Sequence, residues 1–376
     1  MNLRHRLILL LQHQATAWVI LVLSFVITAL AWSISDNAIR AKATERFQFQ
    51  TQDIATAIER RLMTYATALR GGTGLFDATG LVTRNQWHQY VQALRLQENF
   101  SGIQGLGFAL MIAPEDRERH IDDIRAEGFA DYSISPDGSR ERYSSIIYLE
   151  PFDWRNRRAF GYDMYSESVR RRAMDLACDS GEPAISGRVR LMQETEQDVQ
   201  YGFLMYIPVY RPRMPTTTIE ERRAALLGFV YSPFRAHDFM NGILGSNQDV
   251  IQLELYDGDT PAVESFLFTN LPETRLRVLE PPSQGGFDAL VALELFQHRW
   301  TLSVRAGAGY LSDAEEAQPL IVALGGLTID FFLFLIIESI GRQKRQAEQQ
   351  SRHLSQQLAD SESRYSALFE SARAVM

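Results

Sequence analysis

A single carboxylate set among aromatic rings is the residue of this sequence best placed to do chemistry. It is Asp163, in Tyr162-Asp163-Met164-Tyr165, just ahead of a charged segment with Val169, Ala173, Leu176 and Ala177 at helical spacing. An ionised carboxylate accepts charge-assisted hydrogen bonds worth about 1.5–3 kcal/mol each, enough to anchor a small ligand. The same position suits a cap on the helix that follows, and both roles stay open. Tyr148, Phe152, Trp154, Tyr162, Tyr165, Phe203 and Tyr206 are candidates for pocket walls; the plainer alternative is that aromatics at strand spacing form core. Arg170, Arg171 and Arg172 read as a solvated helix face, with a clamp on an acidic ligand as the other reading. The lone Cys178 excludes an intrachain disulfide or a multi-cysteine metal site and reads as a buried small hydrophobe. No HExxH, Walker loop, nucleophile elbow or His/Cys cluster occurs, so no catalytic residue, metal site or cofactor is expected.

These residues need elements to position them. Ser180-Gly181 ends the charged helix, since glycine suits the left-handed position after a helix C-terminus. Two apolar β-like runs follow, Ala184–Leu191 and Tyr201–Tyr210. Upstream, Phe47, Ile54, Ile58, Leu62, Tyr65 and Leu69 recur at three- and four-residue spacing, which predicts a long amphipathic helix over 36–70. Gly71-Gly72 and Gly74 are expected to break it. Thr83 can cap a second helix with Trp87, Val91 and Leu94 inward. Gly102–Ile112 reads as a buried strand, and Pro114–Glu127 as a helix with proline in its first turn. Tyr132–Ser135 and Tyr143–Leu149 flank Asp137-Gly138, a hairpin signal. Arg211–Arg223 reads as an exposed connection. From Ala225 a second α+β pattern begins: Leu226–Tyr231, a helix over Arg235–Ile243, then strands Val250–Tyr256, Ser265–Phe268, Phe287–Leu295 and Arg299–Ala306.

The 376 residues suffice for two or three domains, and a net charge of −8 gives no electrostatic case for nucleic-acid binding. Residues 15–34 form an uncharged apolar run of spanning length, bounded by Trp18 and Trp32 at interface positions. Ala29-Leu30-Ala31 resembles a signal-cleavage site, but the run exceeds a usual signal core, so an uncleaved anchor is preferred. Residues 319–340 form a second span. Acidic Asp313, Glu315 and Glu316 precede it; Arg342, Lys344 and Arg345 follow it. The positive-inside rule then puts both termini in the cytoplasm and residues from about 36 to 317 outside it, in a two-pass inner-membrane topology. Asp330 lies near the middle of the second span. A carboxylate there costs about 2.5–3.5 kcal/mol on insertion scales, so we read it as a protonated dimer-interface or signalling residue. Beyond the span, Leu354, Leu358, Ser361, Tyr365 and Leu368 form a short heptad seam, suited to a parallel dimer held elsewhere.

Several motifs in one order resemble the CHASE family of extracellular sensory domains, found in receptor histidine kinases and bacterial cyclic-dinucleotide enzymes. They are Gly102-Ile103-Gln104-Gly105-Leu106-Gly107-Phe108, Gly161-Tyr162-Asp163-Met164, the Gly181 turn, and Gly202-Phe203 leading into Pro208-Val209-Tyr210. The tail from Ser363 to Glu370 resembles the first helix of a PAS domain. The resemblance covers about residues 36–315 and implies an α+β fold: a long N-terminal helix and two tandem PAS-like units, flanked by two transmembrane helices, in a homodimer. The boundaries become 1–14 cytoplasmic, 15–34 first span, 35–70 stalk helix, 71–223 membrane-distal unit, 224–316 membrane-proximal unit, 319–340 second span, 341–363 signalling helix and 364–376 the start of a PAS domain. In plant cytokinin receptors of this family an aspartate binds the adenine edge, assisted by a main-chain group in the following strand. The matching positions are Asp163 and Ile185, with Tyr162, Tyr165, Thr195 and Phe203 completing the implied pocket and an adenine-type ligand among those implied. The function so implied is a transmembrane receptor whose ligand signal reaches a cytoplasmic PAS domain and an output domain, a diguanylate cyclase or a histidine kinase. Two other readings are a membrane-anchored structural or dimerisation module without ligand, and a periplasmic hydrolase.

Overall fold

Helix formation at the N-terminus does not stop where two adjacent glycines predict. In the computed structural model α1 runs from Leu3 to Thr79, joining the apolar run, the stalk and the first glycines in one helix. Gly71 and Gly72 serve as close-approach points instead. A Cβ at Gly71 would lie 2.5 Å from the Tyr90 hydroxyl, and one at Gly72 would lie 3.2 Å from the Trp87 ring. Packing against those rings outweighs the cost of glycine in a helix, about 1 kcal/mol per residue. The structure describes residues 3–373 except 101, 195–199, 245–249, 272–285 and 308, with side chains described between 18 and 364.

The remaining elements are α2 (Arg84–Leu94), α3 (Leu96–Asn99), β1 (Leu106–Ile112), α4 (Arg117–Ala126), β2 (Tyr143–Glu150), α5 (Ser168–Ser180), β3 (Ala184–Ile185), β4 (Val189–Arg190), β5 (Tyr201–Tyr210), α6 (Ile219–Ala225), β6 (Leu226–Arg235), α7 (Ala236–Leu244), β7 (Ile251–Asp257), β8 (Phe266–Thr269), β9 (Asp288–Leu295), β10 (His298–Ala306) and α8 (Asp313–Arg373). The chain divides into two units, Glu45–Tyr310 and the two ends, Met1–Thr44 with Leu311–Met376.

Two antiparallel sheets build Glu45–Tyr310. The first has the order β2-β1-β6-β5-β3, with β4 also on β5; the second is β8-β7-β10-β9. Leu226–Arg235 therefore belongs to the centre of the first sheet, between β1 and β5, and not to a second unit starting at 224. Its apolar residues on both faces account for this, because a central strand is covered on both sides. The expected hairpin over 132–149 is also absent. Ser135 instead makes a parallel bridge to Tyr162, and its carbonyl accepts from the Asp163 N–H at 2.7 Å. Within the expected connection, Thr218 and Glu221 form a reciprocal capping box that starts α6.

The first sheet separates two packings. On one face α1 and α2 lay rings on it: Phe76 on Phe108 at 4.2 Å, Tyr65 on Phe234 at 5.1 Å, and Trp87 near Tyr148 at 6.1 Å. On the other, Ala173, Met174, Ala177 and Cys178 of α5 pack onto Ala109, Leu204, Tyr206, Phe229 and Tyr231. Leu176, expected inward on α5, is exposed, and Met174 takes that role. The second sheet meets the first through the β9–β10 turn and the end of β7. The Ile185 N–H donates to Phe296 O at 3.2 Å, Gln297 Nε2 to Ser180 Oγ at 2.8 Å, and the Arg188 N–H to Asp257 Oδ2 at 2.8 Å.

The ends form a helical unit of their own. Both its helices contain a stretch long and apolar enough to cross a membrane. Asp330 is 4% exposed; Thr28 Oγ1 donates to its Oδ2 at 3.2 Å and Ser24 Oγ donates to its Oδ1. Gly326 sits against Thr28, so the helices approach closely one turn before the carboxylate.

Candidate functional site

The loop carrying Asp163 is fixed from both sides before the carboxylate makes any contact. Gly161, at φ 79°, brings its backbone against Ser133, where a Cβ would lie 2.2 Å from the carbonyl oxygen. Only glycine tolerates both that φ and that approach. Asp163 follows, fully buried. Its Oδ1 accepts from the Ser144 N–H at 2.8 Å, the Ser144 hydroxyl at 3.2 Å and the Tyr165 N–H at 3.1 Å. Oδ2 has no hydrogen bond, and the Arg140 guanidinium stands 3.5 Å from it. Burial pushes this carboxyl above the usual aspartate range, while the Ser144 N–H and the Arg140 charge draw it back. The aspartate does act as a cap, but of the short 3-10 turn Met164–Ser166. The longer α5 is capped by Glu167, which accepts from the N–H groups of Val169 and Arg170.

Arg140 links the buried aspartate to an open cleft of about 670 Å³ between α5 and the 140–142 segment. Arg140, Arg142, Arg171 and Arg223 line it, with Glu141, Asp175 and Asp179 as its acids. Met111, Cys178 and Leu226 supply its apolar wall. The Tyr165 hydroxyl donates to Asp175 Oδ1 at 2.5 Å, and burial with that carboxylate beside it raises the phenol. Arg223 grips Asp179 through two hydrogen bonds, at 2.6 and 2.7 Å. Burial pushes the Cys178 thiol up to about 11, so it stays a protonated, weakly reactive wall residue. Such a space suits a small polar ligand, held by arginine donors over a short apolar floor.

Of the sequence-predicted residues, Asp163, Tyr162 and Tyr165 come together. Tyr162 lies under the Arg170 guanidinium, 5.4 Å away, and Tyr165 reaches the cleft. Phe203 does not join them. Even-numbered residues of β5 face α5, and Phe203 points to the opposite face, stacked on Phe234 at 4.9 Å and edge-on to Trp300 at 4.7 Å. Ile185 is also turned away, since its side chain shares that opposite face with Met205 and its N–H is spent on Phe296. Thr195 lies outside the described residues. Arg170, read from sequence as part of a solvated triplet, is buried; it donates to Arg190 O at 2.8 Å and Glu167 Oε2 at 3.3 Å. The cleft arginines other than Arg171 were not singled out in the sequence, because 140, 142 and 223 converge only through the fold.

The CHASE domain model matches residues 80–268 of this chain. No curated protein sequence matches it. Among solved structures, it is similar to the ligand-binding domain of the Campylobacter jejuni chemoreceptor Tlp3 in complex with 4-methylisoleucine. That likeness has 8% identity and a TM-score of 0.39, over 74% of this chain and 94% of that one. It is also similar to the extracellular domain of soHK1S-Z6, assigned as a histidine kinase, at 10% identity and a TM-score of 0.37, over 71% of this chain and 96% of that one. With half of its length matched, and with the Gly161–Met164 and Gly202–Phe203 motifs inside the match, the chain belongs to the CHASE domain family of extracellular sensors.

Proposed function

We propose that this chain is the sensory half of a two-pass inner-membrane receptor, with both termini cytoplasmic and a small-molecule ligand held beside Asp163. The observation that carries the site is the buried Asp163 carboxylate, with one oxygen saturated and the other fronted only by Arg140 at the cleft wall. A buried acceptor left without a donor costs about 1–3 kcal/mol, and a ligand that completes the pairing recovers it. An adenine-type ligand would use that single free oxygen and displace Arg140. In this reading the two sheets are a membrane-distal and a membrane-proximal PAS-like unit of a homodimer. Binding shifts their packing, then the second span with Asp330, and then the heptad helix toward a PAS domain and an output domain, a diguanylate cyclase or a histidine kinase. A ligand drives such a shift only through different affinities for the two states.

A second reading, a dimerising module without a ligand, is supported by the tight packing of Met164, Tyr206 and Tyr231 on the α5 face, each at most 1% exposed. A thermal-shift screen of the full chain in nanodiscs separates the two. Purines, amino acids, polyamines and small carboxylates would be tested on wild type and Asp163→Ala. A ligand at one hundred times its Kd stabilises by about 2.7 kcal/mol. A hit abolished in a folded Asp163→Ala variant supports the receptor. No hit across the library, with the variant merely less stable, supports the module.

A further inference from the structure

We infer that the cleft takes a small oxyanion, a carboxylate or phosphate ester, with Arg142 and Arg171 as its ligating cations. This rests on the reading of the chain as a small-molecule receptor and places the ligand in the cleft in front of Arg140 rather than on Asp163, whose open oxygen needs a donor that an oxyanion lacks. The charge inventory of the walls carries it. Two of the three acids are already occupied: Asp179 by the paired Arg223 bonds, and Asp175 by the Tyr165 hydroxyl. Arg140 is pinned to the carbonyls of Pro136 at 3.1 Å and Gly138 at 3.3 Å, with Asp163 behind it. Arg171 spends one nitrogen on Tyr165 O at 3.3 Å and keeps the rest of its fork. Arg142 makes no hydrogen bond or ion pair among the described residues. The lining as a whole holds four arginines against three carboxylates, and Arg142 and Arg171 are the two of those arginines without an ion pair among the described residues, so the open space keeps a bias of one positive charge in a chain of net charge −8.

Guanidinium forks match the paired oxygens of carboxylate and phosphate, and Arg142 and Arg171 hold such forks open to the cleft. Met111 and Leu226 give the carbon skeleton of such an anion an apolar surface. A polyamine or other cation would instead face Arg140, Arg142 and Arg171 across the same space.

The test is a titration of the full chain in nanodiscs with succinate and with glycerol phosphate, against sodium chloride at matched ionic strength, read by melting temperature. A saturable rise with either oxyanion and none with chloride is expected. Arg142→Gln and Arg171→Gln should each weaken the apparent Kd at least tenfold, with unliganded melting temperatures within 1–2 °C of wild type, since both side chains are exposed. Succinate alone, or glycerol phosphate alone, identifies the headgroup. A rise matched by chloride, no saturable rise, or a Kd unchanged in both variants overturns the inference. A purine or polyamine hit lost in Asp163→Ala, with neither oxyanion binding, sinks the oxyanion class and leaves the receptor standing.

Discussion

The two faces of the first sheet are built on opposite principles. Toward α1 and α2 the sheet presents rings held in fixed geometry, with Phe203 and Phe234 stacked 13° from parallel and Tyr65 stacked on Phe234. Such pairs add about 0.5–1.5 kcal/mol each beyond the area they bury. Toward α5 the same strands carry polar atoms into the interior. The Tyr231 hydroxyl and Asp163 Oδ2 are buried without a hydrogen-bond partner, and the Arg170 guanidinium is buried beside Tyr162. The aromatic side has such atoms too, Trp300 Nε1 at its seam with the second sheet and Arg84 Nε over the Tyr148 ring. One face is thus built of stacked rings, while the other buries ionisable side chains, Asp163 and Arg170. Buried unpaired atoms are rare in native proteins, and the one on Asp163 is a carboxylate oxygen that a ligand donor can complete.

Substitutions on the two faces should therefore differ in kind, and the largest effect belongs to the rings. Phe203→Ala should cost about 3–5 kcal/mol in chemical denaturation, with no ligand able to restore it selectively. A loss near that of an exposed site would break the contrast. Asp163→Ala should cost less, about 1–3 kcal/mol, because it removes acceptors for Ser144 and Tyr165 while relieving a buried carboxylate. Its sharper signature is loss of ligand-induced stabilisation, which Phe203→Ala should retain once refolded. Gly71→Ala tests the seat of α1: the new Cβ meets the Tyr90 hydroxyl, and after the helix-propensity gain the net loss should be about 1 kcal/mol. A stabilised variant would show that Tyr90 gives way freely. The smallest effect is on pH. Burial raises the Asp163 carboxyl in the folded chain, so the native state holds that proton more tightly than the unfolded chain does. That contribution is full below about pH 4 and is lost as pH rises through the folded value. The stability of Asp163→Asn relative to wild type should therefore improve from pH 4 to pH 7 in parallel urea titrations. A flat difference would mean that Ser144 and Arg140 cancel the burial.

Much of the face toward α5 was legible in the sequence, and the reason is locality. Asp163, Tyr162 and Tyr165 are neighbours, and Gly161 and Gly181 bracket them at positions where the chain takes positive φ. Strand alternation was harder to use. Phe203 was grouped with the pocket by its place in a motif, yet period-two geometry sets it on the far face from Tyr206. β6 was assigned to the second unit because it follows an exposed connection, whereas pairing to both β1 and β5 is a long-range fact with no local trace. The same holds for Arg140, Arg142 and Arg223, separated by more than eighty residues at the extremes and joined only by the cleft.

The seating of Trp300 against the Phe203–Phe239 pair has a consequence beyond local packing. It makes the second sheet a lid on the hydrophobic interior of the first, so neither sheet can open without wetting the other's rings. Slow amide-exchange sites of β5 and β10 should consequently report one common opening free energy, as a single cooperative foldon. A fragment cut after α7 would expose Phe203 and Phe239 together, and it should aggregate where the intact pair of sheets stays soluble.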